Sequence, residues 1–151
     1  MMVLVVTALV AGSLDLGAAL LFFVIRSKQD PAMLLRYIAS AVFGPKAFSG
    51  DARMVVAGIC FHYTIAFCWV GFYLAVYPWV RSWRTGLLLD AAVYGLFVWV
   101  IMNRVVLPLS RAVPRPFPLS FLLINMLILV IAIGLPCAYA ARYFAGGCFC
   151  H

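Results

Sequence analysis

One long stretch of this chain, between Arg53 and Arg81, contains no Asp, Glu, Lys or Arg and a single histidine, His62. A helix of about 20 apolar residues is long enough to cross the hydrocarbon core of a bilayer, which is roughly 30 Å thick. Hydrophobic residues make up 68% of the 151 residues and charged residues only 10%, which excludes an ordinary soluble domain. The sequence predicts four membrane spans, at residues 1–25, 55–77, 87–106 and 119–139.

Helices are the expected form of these spans, because lipid offers no partner for backbone N–H and C=O groups. The alternating ten-residue pattern of a membrane β-barrel is missing from the sequence. The first stretch is followed, not preceded, by the positive charges Arg26 and Lys28, the reverse of a secretory signal, so we expect it to be a span. The predicted fold is a single all-α membrane domain over residues 1–151, with four transmembrane helices in an antiparallel bundle.

The basic residues predict the orientation. Eight of the eleven fall in the first and third loops: Arg26, Lys28, Arg36, Lys46, Arg53, Arg104, Arg111 and Arg115. The other side has three: Arg81, Arg84 and Arg142. By the positive-inside rule, the first and third loops are cytoplasmic and both termini lie outside. This distribution accounts for the net charge of +7 without a nucleic-acid partner, and the expected partner is the lipid bilayer.

The first loop predicts a short amphipathic helix over residues 31–43. Asp30 is the expected N-cap and Pro31 the first helical residue, and the pattern ends at Gly44 and Pro45. Its apolar side is formed by Met33, Leu34, Tyr37, Ile38, Ala41 and Val42, and its other side by Arg36 and Ser40. The helix is too short to span a membrane. It lies flat in the interface, folds back into the bundle, or packs on the bundle end as a soluble helix.

Prolines and small residues refine this interpretation. Pro78 is expected to end the second helix, and Pro108, Pro114, Pro116 and Pro118 predict an extended third loop. Small residues recur at close-packing spacing on three spans: Ala8, Gly12, Gly58, Ala66, Ala91 and Gly95. Such residues let helix backbones approach closely. We expect them to form contacts within the chain, with a homodimer as the alternative.

Few polar side chains lie inside the predicted spans, and two of them are at similar depth. Asp15 is about 15 Å from the cytoplasmic end of the first helix and His62 about 10 Å from that end of the second. Each lies on a face with small residues, so the two side chains are expected to meet. An acid within the membrane is a candidate functional site by default.

Three further residues approach the same depth from the cytoplasmic side and complete a predicted polar cluster: Asn103, Arg104 and Asn125. Arg104 is expected either to extend to the interface or to pair with Asp15. Asp90, near the outer end of the third span, is expected to cap that helix or to pair with Arg84. The cluster either handles a substrate or proton, or only holds the helices in register.

Three classes of function fit these residues. The first is a proton-coupled transporter or permease that uses the pair Asp15 and His62, and the second is a non-catalytic accessory or scaffold subunit of a membrane complex. An enzyme is least favoured, since nucleophile and zinc motifs are absent from the sequence. No cofactor is predicted: a b-type haem would need a second axial ligand besides His62. The tail residues Cys148, Cys150 and His151 are weak candidates for a metal site.

Several segments carry a resemblance to a known group. They are "AG" at Ala11, "FHYTIAF" at Phe61–Phe67, "YP" at Tyr77, "GLFVWVIMNRVVLPLS" at Gly95–Ser110 and "LINMLILVIAIGLP" at Leu123–Pro136. With these segments the chain resembles small bacterial inner-membrane proteins of unknown function, including the YagU-like group. The resemblance covers most of the chain and implies a bacterial inner-membrane location. It implies no particular reaction, and the "CFCH" tail departs from the group.

Overall fold

The computed structural model describes residues 1–80, 86–112 and 119–145, and all regular structure in these ranges is helical. Four helices are long and apolar enough to cross a membrane. They are span 1 (Met2–Ser27), span 2 (Ala52–Val80), span 3 (Leu87–Leu109) and span 4 (Leu119–Phe144). The predicted all-α membrane fold is confirmed. Each helix is longer than the span predicted from the sequence, because the helical conformation continues past the stretch chosen by hydropathy.

The spans form two close-packed pairs. In the pair of spans 1 and 2, a Cβ added at Gly12 would lie 3.1 Å from the ring of Tyr63. In the pair of spans 3 and 4, a Cβ at Gly95 would overlap the backbone of Val130, and one at Gly134 would overlap the carbonyl of Ala91. The small residues therefore form contacts between helices of one chain, as predicted. Close approach compensates for the weak hydrophobic drive between helices in lipid.

The two pairs are joined in two ways. Span 4 packs along span 1, whereas spans 2 and 3 meet mainly through large aromatic side chains. The ring centroids of Tyr73 and Tyr94 are 4.4 Å apart, and Phe72 stacks on Phe97 at 6.0 Å. The Tyr94 hydroxyl also donates a hydrogen bond to the carbonyl of Trp69. The core to which all four spans contribute lies in the half of the bundle where span 1 begins and span 4 ends.

The loop helix, Pro31–Phe43, begins as predicted. The Asp30 carboxylate accepts a hydrogen bond of 2.8 Å from the Ala32 amide, and Pro31 occupies the first turn. After Phe43 the chain passes through Gly44, whose φ is 60°, into a 3-10 turn. A positive φ is accessible to glycine at little cost, which explains why the helix ends there.

The loop helix packs across the first turns of span 2, where Gly58 lies against the Leu35 backbone. Its buried residues are Leu35, Ala39 and Ser40, whereas Val42 is 48% exposed. The sequence placed Ser40 on the side away from the apolar stripe, and the structure buries this residue. Close backbone contact favours small side chains such as those of Ala39 and Ser40, and the residues of the apolar stripe other than Val42 are half-buried.

Two proline predictions are wrong. Pro78 lies within the last turn of span 2, and Pro108 lies within the helical end of span 3. A proline leaves the carbonyl four residues earlier without its helical partner, which is tolerated near a helix end. Wide π-type turns directly precede Pro108 and Pro136, at Met102–Val106 and Val130–Gly134. Their five-residue hydrogen bonds accommodate the missing donors. Pro114, Pro116 and Pro118 lie outside the described residues.

Candidate functional site

Asp15 and His62 lie between spans 1 and 2, near the middle of span 1. The Asp15 Oδ2 atom is 3.9 Å from the His62 Nε2 atom, and each side chain is 13% exposed. The same Nε2 atom is 2.9 Å from the carbonyl oxygen of Gly12. The imidazole is therefore positioned between a neutral acceptor and a carboxylate, both of them on span 1.

The small residues explain how these side chains meet. Gly12 and Ala66 are buried at the crossing of spans 1 and 2, and their size allows the helices to approach. A helical carbonyl oxygen has two lone pairs, so the Gly12 oxygen can accept from its own helix and from His62 together. The Ser13 and Tyr63 hydroxyls are 2.8 Å apart and provide a second polar link beside the first.

The rest of the predicted polar cluster does not assemble. Asn103 donates a hydrogen bond of 2.9 Å to the Trp99 carbonyl in its own helix. Arg104 is exposed and Asn125 is half-buried. Among the described side chains, neither a hydrogen bond nor an ion pair joins these three residues to Asp15 or His62.

The predicted five-residue cluster thus reduces to one pair. Asn103 satisfies its amide locally, and the long side chain of Arg104 extends to the surface instead of pairing with the acid. The metal candidates Cys148, Cys150 and His151 lie outside the described residues.

A second polar cluster, missed by the sequence prediction, joins spans 3 and 4. The Asp90 carboxylate is 2.8 Å from the guanidinium of Arg142, and Asp90 is buried. The Tyr77 hydroxyl interacts with the same guanidinium. The expected helix cap at Asp90 is wrong, because Gly86 occupies the cap position and the Asp90 side chain points toward span 4. The alternative partner, Arg84, lies outside the described residues.

A depth count could have revealed this cluster. Asp90 is one turn after Leu87, where span 3 begins, and Arg142 is within one turn of Phe144, where span 4 ends. Because spans 3 and 4 are antiparallel neighbours, these two positions lie at the same depth along the bundle. Arg142 was counted among the basic residues outside the membrane in the sequence-based prediction, so its depth was not compared with that of Asp90.

The two acid–base contacts differ in what they can do chemically. Arginine stays protonated in proteins, so the pair of Asp90 and Arg142 keeps its charges. A carboxyl group and an imidazole can each gain or lose a proton. The pair of Asp15 and His62 is therefore the one of the two that can change its charge, and it is the better candidate for a functional site. No protein family, curated protein or solved structure shows significant similarity to the chain.

Proposed function

We propose that the chain is a small multi-pass inner-membrane transporter in which Asp15 and His62 bind and release a proton. The observation that carries this proposal is the 3.9 Å approach of a carboxylate oxygen and an imidazole nitrogen inside the bundle. Ionisable residues at such depth are costly and are typical of proton and substrate pathways.

The geometry provides a way to couple protonation to movement. With Asp15 protonated, His62 is best satisfied by the Gly12 carbonyl, at 2.9 Å. When Asp15 releases its proton, the carboxylate attracts the Nε2–H group of His62, and a shift of about 1 Å from the present 3.9 Å separation reaches the length of a charge-assisted hydrogen bond. Because the two residues are on different spans, the proton changes the attraction between spans 1 and 2. A switch of this kind biases one helix arrangement over another.

Infrared spectroscopy of the reconstituted protein tests the first step without knowledge of the solute. A protonated carboxyl group has a carbonyl band that an ionised carboxylate lacks. We expect the intensity of this band to change when the pH of the sample is varied across the physiological range, about pH 5 to 8. The change should disappear in Asp15→Asn and move to another pH in His62→Gln.

Asp51→Asn is the matched control, since Asp51 is an exposed carboxylate in the loop before span 2. It should leave the titrating band in place. A wild-type spectrum without a band assignable to Asp15 over this range would mean that Asp15 keeps one protonation state, and the transport proposal would fail. If the band titrates, proton uptake into vesicles loaded with a pH-sensitive dye should be faster for wild type than for Asp15→Asn.

A non-catalytic accessory or scaffold subunit is the second candidate. The hydrogen bond between Ser13 and Tyr63 and the one between His62 and Gly12 favour it, because both link spans 1 and 2 without any change of charge. Here the pair of Asp15 and His62 holds the helices in register, and the surface contacts a membrane-complex partner or a second copy of the chain.

The cellular location is part of the same proposal. The resemblance to YagU-like proteins supports the bacterial inner membrane. The excess of basic residues in the first and third loops supports a cytoplasmic position for those loops, with both termini outside. This orientation places the loop helix at the cytoplasmic surface and the pair of Asp90 and Arg142 in the outer half.

A further inference from the structure

An apolar groove runs along the bundle between the first half of span 1 and the last half of span 4. It encloses ≈ 640 Å³ and is lined by Val6, Val10 and Leu14 on one side and by Leu135 and Tyr139 on the other. Val6 and Val10 are about half exposed, so the groove opens sideways to the surroundings of the bundle. In a membrane these surroundings are lipid chains.

The groove has the length of one lipid leaflet. Its residues on span 1 extend from Met2 to Leu14, which corresponds to about 18 Å at 1.5 Å per residue. Half of the hydrocarbon core is about 15 Å. A hydrocarbon chain of one leaflet can therefore lie along the groove, and the apolar walls match it in chemistry.

Thr7 contributes a hydroxyl-bearing side chain to the groove wall. Thr7 is 6% exposed and lines the groove, and within the described part of the chain its hydroxyl makes no hydrogen bond. The hydroxyl oxygen is not fully enclosed, so it can be reached from the groove, and in an apolar setting a hydroxyl without a partner is unfavourable. The groove wall therefore holds a donor that a bound molecule could satisfy.

The depth of Thr7 indicates what that molecule is. Span 1 has 26 residues and is about 39 Å long, roughly 9 Å longer than the hydrocarbon core. If the excess is shared between both ends, Thr7 lies about 3 Å inside the hydrocarbon boundary. The ester groups of glycerophospholipids lie at this boundary, above the acyl chains.

We propose that the groove binds one acyl chain of a glycerophospholipid, and that the Thr7 hydroxyl donates a hydrogen bond to the ester carbonyl of that chain. The acyl chain then runs past Val10 to Leu14, about 10 Å along span 1, so the groove covers roughly the upper two-thirds of the chain. This site lies on a different face of span 1 from Asp15, and the proposal does not depend on proton transport.

Native mass spectrometry of the detergent-purified, delipidated protein tests the proposal by titration with two probes. One is a diacyl phosphatidylglycerol, and the other is its dialkyl ether analogue, which lacks the ester carbonyls. We expect one tightly bound diacyl lipid per chain. Its affinity should be about two- to five-fold higher than that of the ether analogue, which is the effect expected of one hydrogen bond. Thr7→Val, which keeps the side-chain shape, should bind both probes equally.

Filling the groove provides an independent test. Val10→Trp should weaken binding of both probes, whereas Val93→Trp, at a position of span 3 that is 60% exposed and outside the groove, should not. Circular dichroism and gel filtration establish that each variant is folded. If Val10→Trp binds lipid as wild type does, the groove is not the binding site. If wild type shows only a broad distribution of weakly bound lipids, the groove does not bind one acyl chain specifically. An unchanged ester preference in Thr7→Val would overturn the role of the hydroxyl.

Discussion

The carboxylate of Asp90 and the guanidinium of Arg142 form a 2.8 Å ion pair that fastens the beginning of span 3 to the end of span 4. The two partners are unequally buried: the Asp90 side chain is 6% exposed and that of Arg142 is 34% exposed. Removing one partner takes the opposite charge of the ion pair away from the other, and the cost depends on whether the remaining charge can reach water.

This asymmetry predicts different effects of the two single substitutions. Arg142→Gln leaves a buried carboxylate and should lower the Tm in detergent by about 5 °C or more. Asp90→Asn leaves an arginine that can extend toward the headgroups, and should have a smaller effect. The double variant should be more stable than Arg142→Gln alone. Equal Tm values for the two single variants would contradict the unequal burial.

The close contact of spans 3 and 4 predicts a steric effect at Gly134. A methyl group there would overlap the Ala91 carbonyl, so Gly134→Ala should separate the helices and cost about 1–3 kcal/mol of unfolding free energy. Gly17→Ala is the matched control, since a Cβ at Gly17 has no neighbour within 4 Å. It should be neutral or stabilising because alanine favours the helix. Denaturant unfolding in mixed micelles would measure both; similar losses would argue against the contact.

The pair of Asp15 and His62 gives a prediction that separates the two proposed functions. If the pair serves proton transfer, Asp15→Asn should leave the Tm unchanged or raise it, because the amide carries no charge to be desolvated. His62→Gln keeps an N–H donor for the Gly12 carbonyl and should cost about 1 kcal/mol or less.

The double variant completes this comparison. If each single substitution is destabilising and the double variant is no worse than either, the pair acts as a structural lock. That result would favour the scaffold.

The loop helix should depend on the absence of a side chain at Gly58. In Gly58→Val the new side chain would overlap the Leu35 backbone, and the loop helix should leave span 2. Hydrogen exchange of the amides of Ala39 and Ser40 should then become faster, while exchange in spans 3 and 4 stays unchanged. Gly71→Ala serves as the control within the same helix, because the nearest atom to an added Cβ is 3.7 Å away on Leu4. Unaltered protection in Gly58→Val would show that the loop helix is held by other contacts.

The proposed orientation predicts the outcome of reporter fusions. Alkaline phosphatase fused after residue 151 should be active and green fluorescent protein should be dark, because the C-terminus is proposed to lie outside. Fusions placed after residue 50, in the first loop, should give the reverse result. The opposite pattern at both positions would invert the topology and place the pair of Asp90 and Arg142 on the cytoplasmic side.

Hydropathy determined most of the architecture. The four apolar stretches were sufficient to predict four spans, because a backbone in lipid must satisfy its own hydrogen bonds and a helix does so locally. The cap at Asp30 and the helix end at Gly44 were also predictable, since they depend on neighbours in sequence. Helix periodicity places Asp15 and His62 on the same helix faces as small residues, and small residues indicate where spans 1 and 2 approach each other. The sequence could therefore predict that these two side chains face each other.

The tertiary structure decided which polar groups meet. Periodicity places a residue on a face, but the rotation of each helix is set by its close contacts, such as those of Gly95 and Gly134 with the partner span. Those contacts bring Asp90 to Arg142 and leave Arg104 and Asn125 away from Asp15. The packing of the loop helix on Gly58 of span 2 turns Ser40 inward, and the packing of span 4 along span 1 forms the groove beside Thr7. The sequence by itself therefore determined four helices that are long and apolar enough to cross a membrane, whereas packing between the helices determined which polar groups pair and where the groove lies.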